Sequence, residues 1–184
     1  ASCRHTHPAA DALLNIMQQH QVYATDIERI DAYVHQGAID VLGPVVDPQT
    51  IHQAKFSMGT VLGLIATRGS ASVIDFEEAA FSDAVIDIRR RVHMHLDAEV
   101  DGAYPQRWIG KVSVTTRDGR TYQAKVLEPK GDPGNTLSRT EIETKVHTLA
   151  AFAHAATPTE VSQVIQTIWH LSECSQFNGF FAPA

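Results

Sequence analysis

The sequence predicts an α+β fold in which a small sheet with a β-hairpin is packed by helices. Apolar residues recur at helical spacing near both ends of the chain, whereas alternating apolar and polar residues mark its middle. Two strand-like runs flank Asp118-Gly119, a dipeptide that supplies the positive φ angles of a tight hairpin turn. Helical and strand patterns segregated along a chain in this way are typical of α+β proteins.

The composition excludes several classes of protein. With 184 residues, of which 43% are hydrophobic, the chain can build a packed core. Its 15 Lys and Arg against 21 Asp and Glu give a net charge of -6, which argues against a nucleic-acid partner. No apolar run approaches the roughly 20 residues of a membrane span. Two cysteines, Cys3 and Cys174, are too few for a disulfide scaffold, so we expect a globular protein of the reducing cytoplasm, without a membrane partner.

The first elements follow from local spacing. In "THPAADALLNIMQQH", Pro8 suits the first position of an amphipathic helix. "IERIDAYVHQG" alternates β-branched and apolar residues with polar ones, which predicts a strand. Residues 47–69 return to helical spacing and predict one long helix, with Asp47 as its cap and Gly69 as its stop.

The later elements carry clearer end signals. "DAVIDIRRR" predicts a short helix, and "VHMHLDAEV" predicts a half-buried strand. "EPKGDPGNT" concentrates glycine and proline and is predicted to be a loop. Two helices follow, because Ser138 with Glu141 and Thr157 with Glu160 match the capping box, in which each side chain satisfies the other residue's free N–H.

Several charged or small residues are predicted to be structural. Gly59 and Gly63, four apart on the long predicted helix, permit close helix packing and lack the surroundings of a phosphate loop. Asp75, Glu77 and Glu78 are predicted to form a solvated turn. The run from Arg89 to Arg91 is predicted to form a solvated edge, with contact to a polycarboxylate or an acidic neighbour as the alternative.

The opening residues give the strongest chemical signal. Arg4 and His7 lie just before a helix start, where free N–H groups and the helix dipole favour an anion such as a carboxylate. Cys3 directly precedes these cationic residues, so we consider it a candidate reactive thiol. The alternative interpretation is structural: Arg4 is a surface cation, His7 a cap and Cys3 a small apolar filler.

No metal centre is predicted. His93 and His95 project to one face if their strand forms, but no third ligand accompanies them at a useful spacing. Cys3, His5 and His7 lack the separated pairs of a structural zinc motif.

Three motifs, in the same order, resemble the 2-methylcitrate dehydratase (MmgE/PrpD) family. "SCRHTHPAADALL" is similar to the family's "SCRxTHPxxDA" segment, "QAKFSMGTVLGLIATRG" to its "AKFSMPYxxAxALLDG" helix, and "EPKGDPGNTLSRTE" to its "xPKGDPxNPLSxxE" loop. Family members are more than twice as long as this chain. The resemblance therefore implies a C-terminal portion, with an N-terminal helical domain missing and the chain cut at its start.

The resemblance implies a domain order and site residues. Residues 1–22 are a crossing segment and helix, 23–136 an α+β lid domain, and 137–184 C-terminal helices that return to the helical domain. In the family the "SCRxTH" segment enters the active-site cleft. We predict catalytic roles for His7 and Cys3 and substrate-binding roles for Ser2, Arg4, Lys55, Ser57 and Thr60.

The implied function is that of a lyase lid. The family chemistry is dehydration or decarboxylation of a di- or tricarboxylate by proton abstraction next to a carboxylate, without a metal or organic cofactor. Many members have Pro-Tyr after "FSM", where this sequence has Gly59-Thr60, and a threonine lacks the reach and acidity of a phenol. Two alternatives therefore stay open: an epimerase or isomerase of an iminodisuccinate-like diacid, and a non-catalytic binding or assembly module.

The same resemblance makes predictions about partners. The general base lies in the missing helical domain, so the chain is expected to be inactive alone. The full-length protein is expected to be a homodimer. Three phenylalanines near the end of the chain would be poorly solvated alone and favour association: Phe177, Phe180 and Phe181.

Overall fold

The computed structural model describes residues 1–173. Its contacts divide the chain into two units, Ala1–Thr136 and Leu137–Ala184. Cys174 and the three C-terminal phenylalanines lie outside the described residues. The fold is α+β, as the sequence predicts.

The first unit is built on a four-stranded mixed sheet. The strands are β1 (Ile27–Val34), β2 (Val92–Leu96), β3 (Gly110–Thr116) and β4 (Thr121–Val126). Their order is β2-β1-β3-β4, with β1 and β2 parallel and the other pairs antiparallel. The predicted hairpin is confirmed: β3 and β4 pair around a turn in which Gly119 has φ +84°.

Seven helices of the first unit are described. They are α1 (His7–His20), α2 (Gln36–Leu42), α3 (Ile51–Lys55), α4 (Met58–Arg68), α5 (Val73–Ala79), α6 (Asp83–Arg89) and α7 (Ala98–Ala103). Sequence spacing did not anticipate α2 or α7; Asp97, expected at the end of a strand, caps α7 by accepting hydrogen bonds from the first-turn amides.

The core lies between one face of the sheet and two helices. Alternate β1 residues, Ile30, Ala32 and Val34, are buried in one core with residues of α1 and α4, whereas Asp31 and Tyr33 on the opposite face are half-exposed. Helix α1, which the sequence prediction placed in the crossing segment of residues 1–22, thus packs on the sheet itself. Gly110 allows this approach, because a Cβ at that position would lie 2.4 Å from the Pro8 carbonyl carbon.

The single long helix predicted over residues 47–69 is wrong. The structure has two helices there, α3 and α4, which are separated at Phe56 and Ser57. Thr50 rather than Asp47 caps the first helix. The Ser57 hydroxyl accepts a hydrogen bond from the Thr60 amide at 3.3 Å and so caps α4. A new helix therefore begins here, although the apolar spacing continues. Gly69 does end α4, in the left-handed conformation.

The turn predicted near residue 75 is also wrong, because these residues belong to α5, although Glu77 and Glu78 are exposed as predicted. Asp75 is buried and forms a capping box with Ser72. Its carboxylate also accepts a hydrogen bond from Ser70 at 2.6 Å. Desolvation opposes the charge, but these hydrogen bonds lower the pKa of Asp75 below its ordinary value.

The solvated arginine edge is corrected in part. The Arg89 side chain is 9% exposed and pairs with Asp47. Arg91, 19% exposed, donates to the Ile27 carbonyl and pairs with Asp87. Only Arg90 of the three is exposed. Arg89 also packs over Gly59, which confirms the close helix packing predicted for the two glycines of α4.

The described part of the second unit is a pair of helices. They are α8 (Arg139–Ala153) and α9 (Pro158–Trp169), and both predicted capping boxes are present. Within residues 137–173, Val161 and Ile165 are the buried apolar side chains. In the part of the chain that the structure describes, no helix combines the length and apolar character needed to cross a membrane.

Candidate active site

The amino-terminal turn has a fixed geometry. Arg4–Thr6 form one turn of 3₁₀ helix that leads directly into α1. The Cys3 carbonyl accepts hydrogen bonds from the Thr6 amide at 3.0 Å and from the Thr6 hydroxyl at 2.7 Å. The same hydroxyl lies 2.9 Å from Ser2 Oγ, and Thr6 is fully buried. Thr6 therefore anchors Ser2, Cys3 and Arg4 to the core.

The break between α3 and α4 joins this turn to Lys55. Lys55 is the last residue of α3, so its carbonyl oxygen needs a hydrogen-bond donor from outside that short helix. The Cys3 amide donates to it at 2.9 Å. The interruption that sequence spacing missed thus connects two of the predicted site segments.

The loop that follows β4 reaches the same turn from another direction. Arg4 Nη2 donates to Asp132 Oδ2 at 2.6 Å, which forms an ion pair. Next to it, the Lys130 amide donates to Asp11 Oδ2 on α1 at 2.6 Å. Three stretches that are distant in sequence therefore meet around Cys3 and Arg4.

His7 has the geometry of a neutral base. Its Nε2 lies 3.2 Å from the Ser2 carbonyl oxygen, which can only accept, so Nε2 carries the hydrogen. The neutral ring then keeps its lone pair on Nδ1. Desolvation lowers the pKa of His7 below 6.5, and the hydrogen bond to Ser2 offsets part of that effect. His7 is therefore predominantly neutral at pH 7.

An aromatic cluster lies beside Arg4. The Arg4 guanidinium lies over the Trp108 ring at 4.2 Å from the centroid. His5 Nδ1 and His35 Nε2 are 3.1 Å apart, and His35 stacks on Tyr104 with centroids 3.8 Å apart. Burial lowers the pKa of both histidines. The sequence marks His5 only as a possible metal ligand and gives no sign of His35, Tyr104 or Trp108 as its neighbours, because no local spacing joins these residues.

Comparison with protein families gives a match over nearly the whole chain. The family model described as the MmgE/PrpD C-terminal domain matches residues 1–171. The chain belongs to the MmgE/PrpD family. A search of curated proteins finds no match. The matched range contains the amino-terminal turn, Lys55 and the loop that carries Asp132, so the converging segments all lie within the MmgE/PrpD domain.

The MmgE/PrpD domain gathers some of the predicted site residues and separates others. Ser2, Cys3, Arg4 and His7 share one turn, and Lys55 joins them through its carbonyl. Ser57 and Thr60 are buried at the start of α4. The Thr60 hydroxyl makes no hydrogen bond to any residue that the structure describes.

The histidines considered as metal ligands lie apart. In this MmgE/PrpD chain, His95 bonds to Asp31 at 2.6 Å across the exposed face of the sheet. Among residues 1–173, no three histidine, cysteine, aspartate or glutamate side chains are arranged to hold a metal ion.

Proposed function

We propose that this chain is the C-terminal lid part of an MmgE/PrpD-type lyase that acts on a di- or tricarboxylate. The observation that carries the proposal is the convergence of three segments around Cys3 and Arg4, next to His7: the amino-terminal turn, the end of α3 and the loop after β4. An exposed guanidinium whose charge reaches a neutral imidazole of the same segment suits carboxylate binding combined with proton transfer.

In the proposed mechanism Arg4 binds one carboxylate of the substrate. For dehydration, a base removes the proton next to a carboxylate, its electron pair forms the double bond, and the hydroxyl leaves as water. For decarboxylation, the bond to the carboxylate breaks, carbon dioxide leaves, and the carbanion takes up a proton. The general base that removes the α-proton in dehydration comes from the helical domain of the longer protein. His7 takes up a proton from solvent on Nδ1 and gives it to the leaving hydroxyl in dehydration, or to the carbanion in decarboxylation, and so returns to its neutral form.

The remaining roles follow from position. Cys3 directly precedes Arg4 in the same turn and is proposed to assist proton transfer, with Ser2 and Lys55 proposed to bind the substrate. Ser57 and Thr60 are proposed to contact substrate only if the start of α4 opens, because both are buried here. The protein is further proposed to be cytoplasmic, free of metal and cofactor, and a homodimer in its full-length form.

An epimerase of an iminodisuccinate-like diacid is the second candidate. The observation that favours it is the Gly59-Thr60 pair in place of Pro-Tyr, which removes a phenol from the cleft. Epimerisation needs the same proton abstraction, followed by return of a proton to the opposite face of the carbon.

The test uses the natural full-length protein and a panel of di- and tricarboxylates followed by NMR. We expect Arg4→Ala and His7→Asn each to lower kcat/KM by about 10²-fold or more, as for loss of a charge clamp or a proton carrier. Arg120→Ala and His20→Asn are matched controls, since both residues are exposed and lie outside the turn.

The product identifies the reaction class. Loss of water or carbon dioxide supports the lyase, and exchange of the α-proton with inversion supports the epimerase. Unchanged kcat/KM in both site variants would contradict the proposed site. If no carboxylate in the panel is bound or converted, the non-catalytic module is favoured. Robust turnover by the 184-residue chain alone would contradict the proposal that the base lies elsewhere.

A further inference from the structure

Two residues that sequence analysis did not single out hold the Arg4 side chain. Trp108 lies under the guanidinium, and Asp132 lies at one of its edges. We infer that Trp108 and Asp132 are positioning residues, which orient Arg4 so that its other N–H groups receive a substrate carboxylate. The inference deepens the proposed function and rests on its assignment of Arg4 as the clamp.

Trp108 provides a rigid platform for the guanidinium. A centroid distance of 4.2 Å is well within the range of about 6 Å over which a cation is attracted to a ring face. The indole is itself held on its other sides, edge-on to Tyr104 at 5.2 Å and to His35 at 5.8 Å, and tilted against His5 at 5.2 Å. The plane of the guanidinium is therefore set by a packed cluster.

Asp132 fixes the direction of the guanidinium within that plane. Its side chain is 15% exposed, and Oδ2 lies 2.6 Å from Arg4 Nη2. The loop holds this position without help from Arg4, because the Lys130 amide is bound by Asp11 and the backbones of Asp132 and Asn135 form a bridge. The backbone that carries Asp132 is therefore held by contacts other than the ion pair with Arg4.

The arrangement leaves donors for a ligand. Asp132 uses Nη2, whereas Nη1 and Nε of Arg4 have no hydrogen-bond partner among residues 1–173. The Arg4 side chain is 49% exposed, so a carboxylate from solution can reach it. A guanidinium in a fixed plane binds a carboxylate through two parallel hydrogen bonds without first losing its conformational freedom.

Asp132 has two opposing effects on the binding of an anion by Arg4. Removing its negative charge strengthens the attraction of Arg4 for anions. Removing its hydrogen bond frees a long side chain whose ordering must then accompany binding. We expect the loss of orientation to prevail, so that Asp132→Ala and Trp108→Leu each weaken polycarboxylate binding by about tenfold.

The experiment measures citrate binding to the 184-residue chain by calorimetry, and KM and kcat in the natural full-length protein. Asp132→Asn keeps an acceptor oxygen without the charge, so it should restore part of the lost affinity. In Asp132→Ala and Trp108→Leu, KM should rise by a larger factor than kcat falls, because Arg4 binds a carboxylate of the substrate and does not contact the reacting carbon. Asp118→Ala and Trp169→Leu are matched controls, since they remove similar contacts to Arg120 and Arg139 elsewhere.

The outcomes separate this inference from the proposed function. Tighter citrate binding in both Asp132 variants would mean that Asp132 competes with the ligand, and would overturn the inference. Weaker binding in Arg4→Ala but unchanged binding in Trp108→Leu and Asp132→Ala would overturn it while leaving the clamp intact. Unchanged binding in Arg4→Ala would overturn the clamp as well. Unfolding midpoints identify any variant that fails to fold.

Discussion

Three histidines near the amino-terminal turn couple the stability of the first unit to pH. Burial is the first cause that lowers the pKa of His5, His7 and His35 below 6.5. For His35 the neighbouring His5 lowers the pKa further, whereas Asp101 raises it. Below pH 6.5 the unfolded chain therefore binds more protons at these histidines than the folded chain does. The free energy of unfolding consequently rises with pH over this range.

We expect the free energy of unfolding to be highest above about pH 6.5 and to fall as the pH drops from 6.5 toward the lowered folded-state values. The aspartates with lowered pKa values stay ionised in this range, so they contribute little to the slope. Urea unfolding at several pH values between 7.5 and 5.5 measures this dependence of the free energy of unfolding on pH. His35→Phe should flatten the dependence, while His20→Phe, an exposed control on α1, should not. A slope equal in all three proteins would contradict this explanation.

At the residue scale, sequence could predict only the neighbours within a motif. Ser2, Cys3, Arg4 and His7 are adjacent along the chain, so one resemblance marks them all. Asp132 meets Arg4 across 128 positions, and no periodicity links such a pair. Its loop was recognised as a loop, but its contact depends on how α1 packs against the sheet.

At the scale of elements, α4 and α6 show how a backbone contact fixes a helix pair. Gly63 faces the backbone of α6, where a Cβ would lie 2.9 Å from the Val85 carbonyl oxygen and 3.0 Å from Val85 Cγ1. The carbonyl cannot rotate away without disturbing α6. Close approach of the two helices therefore requires a residue without a side chain.

We expect Gly63→Ala to lower the free energy of unfolding by about 1–2 kcal/mol, because overpacking outweighs the better helix propensity of alanine. Gly102→Ala is the matched control, since a Cβ on that residue of α7 meets nothing within 4 Å. The control should raise stability by about 0.5–1 kcal/mol. Urea unfolding of the two variants tests the contrast, and equal effects of the same sign would refute it.

Element types were predictable where end signals and periodicity agree. The hairpin at Gly119 and the capping boxes at Ser138 and Thr157 are examples. The α3–α4 break was not predictable, because apolar spacing continues across it and serine is common both inside helices and at caps. The decisive contribution is tertiary, since the Cys3 amide uses the Lys55 carbonyl.

At the scale of the whole molecule, the two units differ in how much apolar surface they bury. The first unit surrounds a sheet with a continuous core. In the second, no residue of α8 is buried, and apolar side chains remain exposed on both helices. They are Ile142, Val146, Leu149, Phe152, Ile168 and Trp169. A 15-residue helix without a buried residue, packed on a 12-residue helix that buries only Val161 and Ile165, is marginal in water.

We expect hydrogen exchange of the 184-residue chain to reflect this difference. Core amides of α1, β1 and β3 should exchange only through global unfolding, whereas α8 and α9 should open at low cost and exchange early. Removing residues 137–184 should leave the unfolding midpoint of the first unit nearly unchanged. Protection of α8 equal to that of β1 would contradict the expectation.

The same measurement on the natural full-length protein tests the proposed architecture. If α8 and α9 pack on a helical domain, their apolar side chains become buried there, and each buried leucine- or phenylalanine-sized side chain adds about 1.5–3 kcal/mol. Exchange of α8 should then slow by several orders of magnitude relative to the 184-residue chain, while exchange of β1 changes little. Equal exchange of α8 in both proteins would mean that these helices are not covered, and would count against a lid that returns to a helical domain.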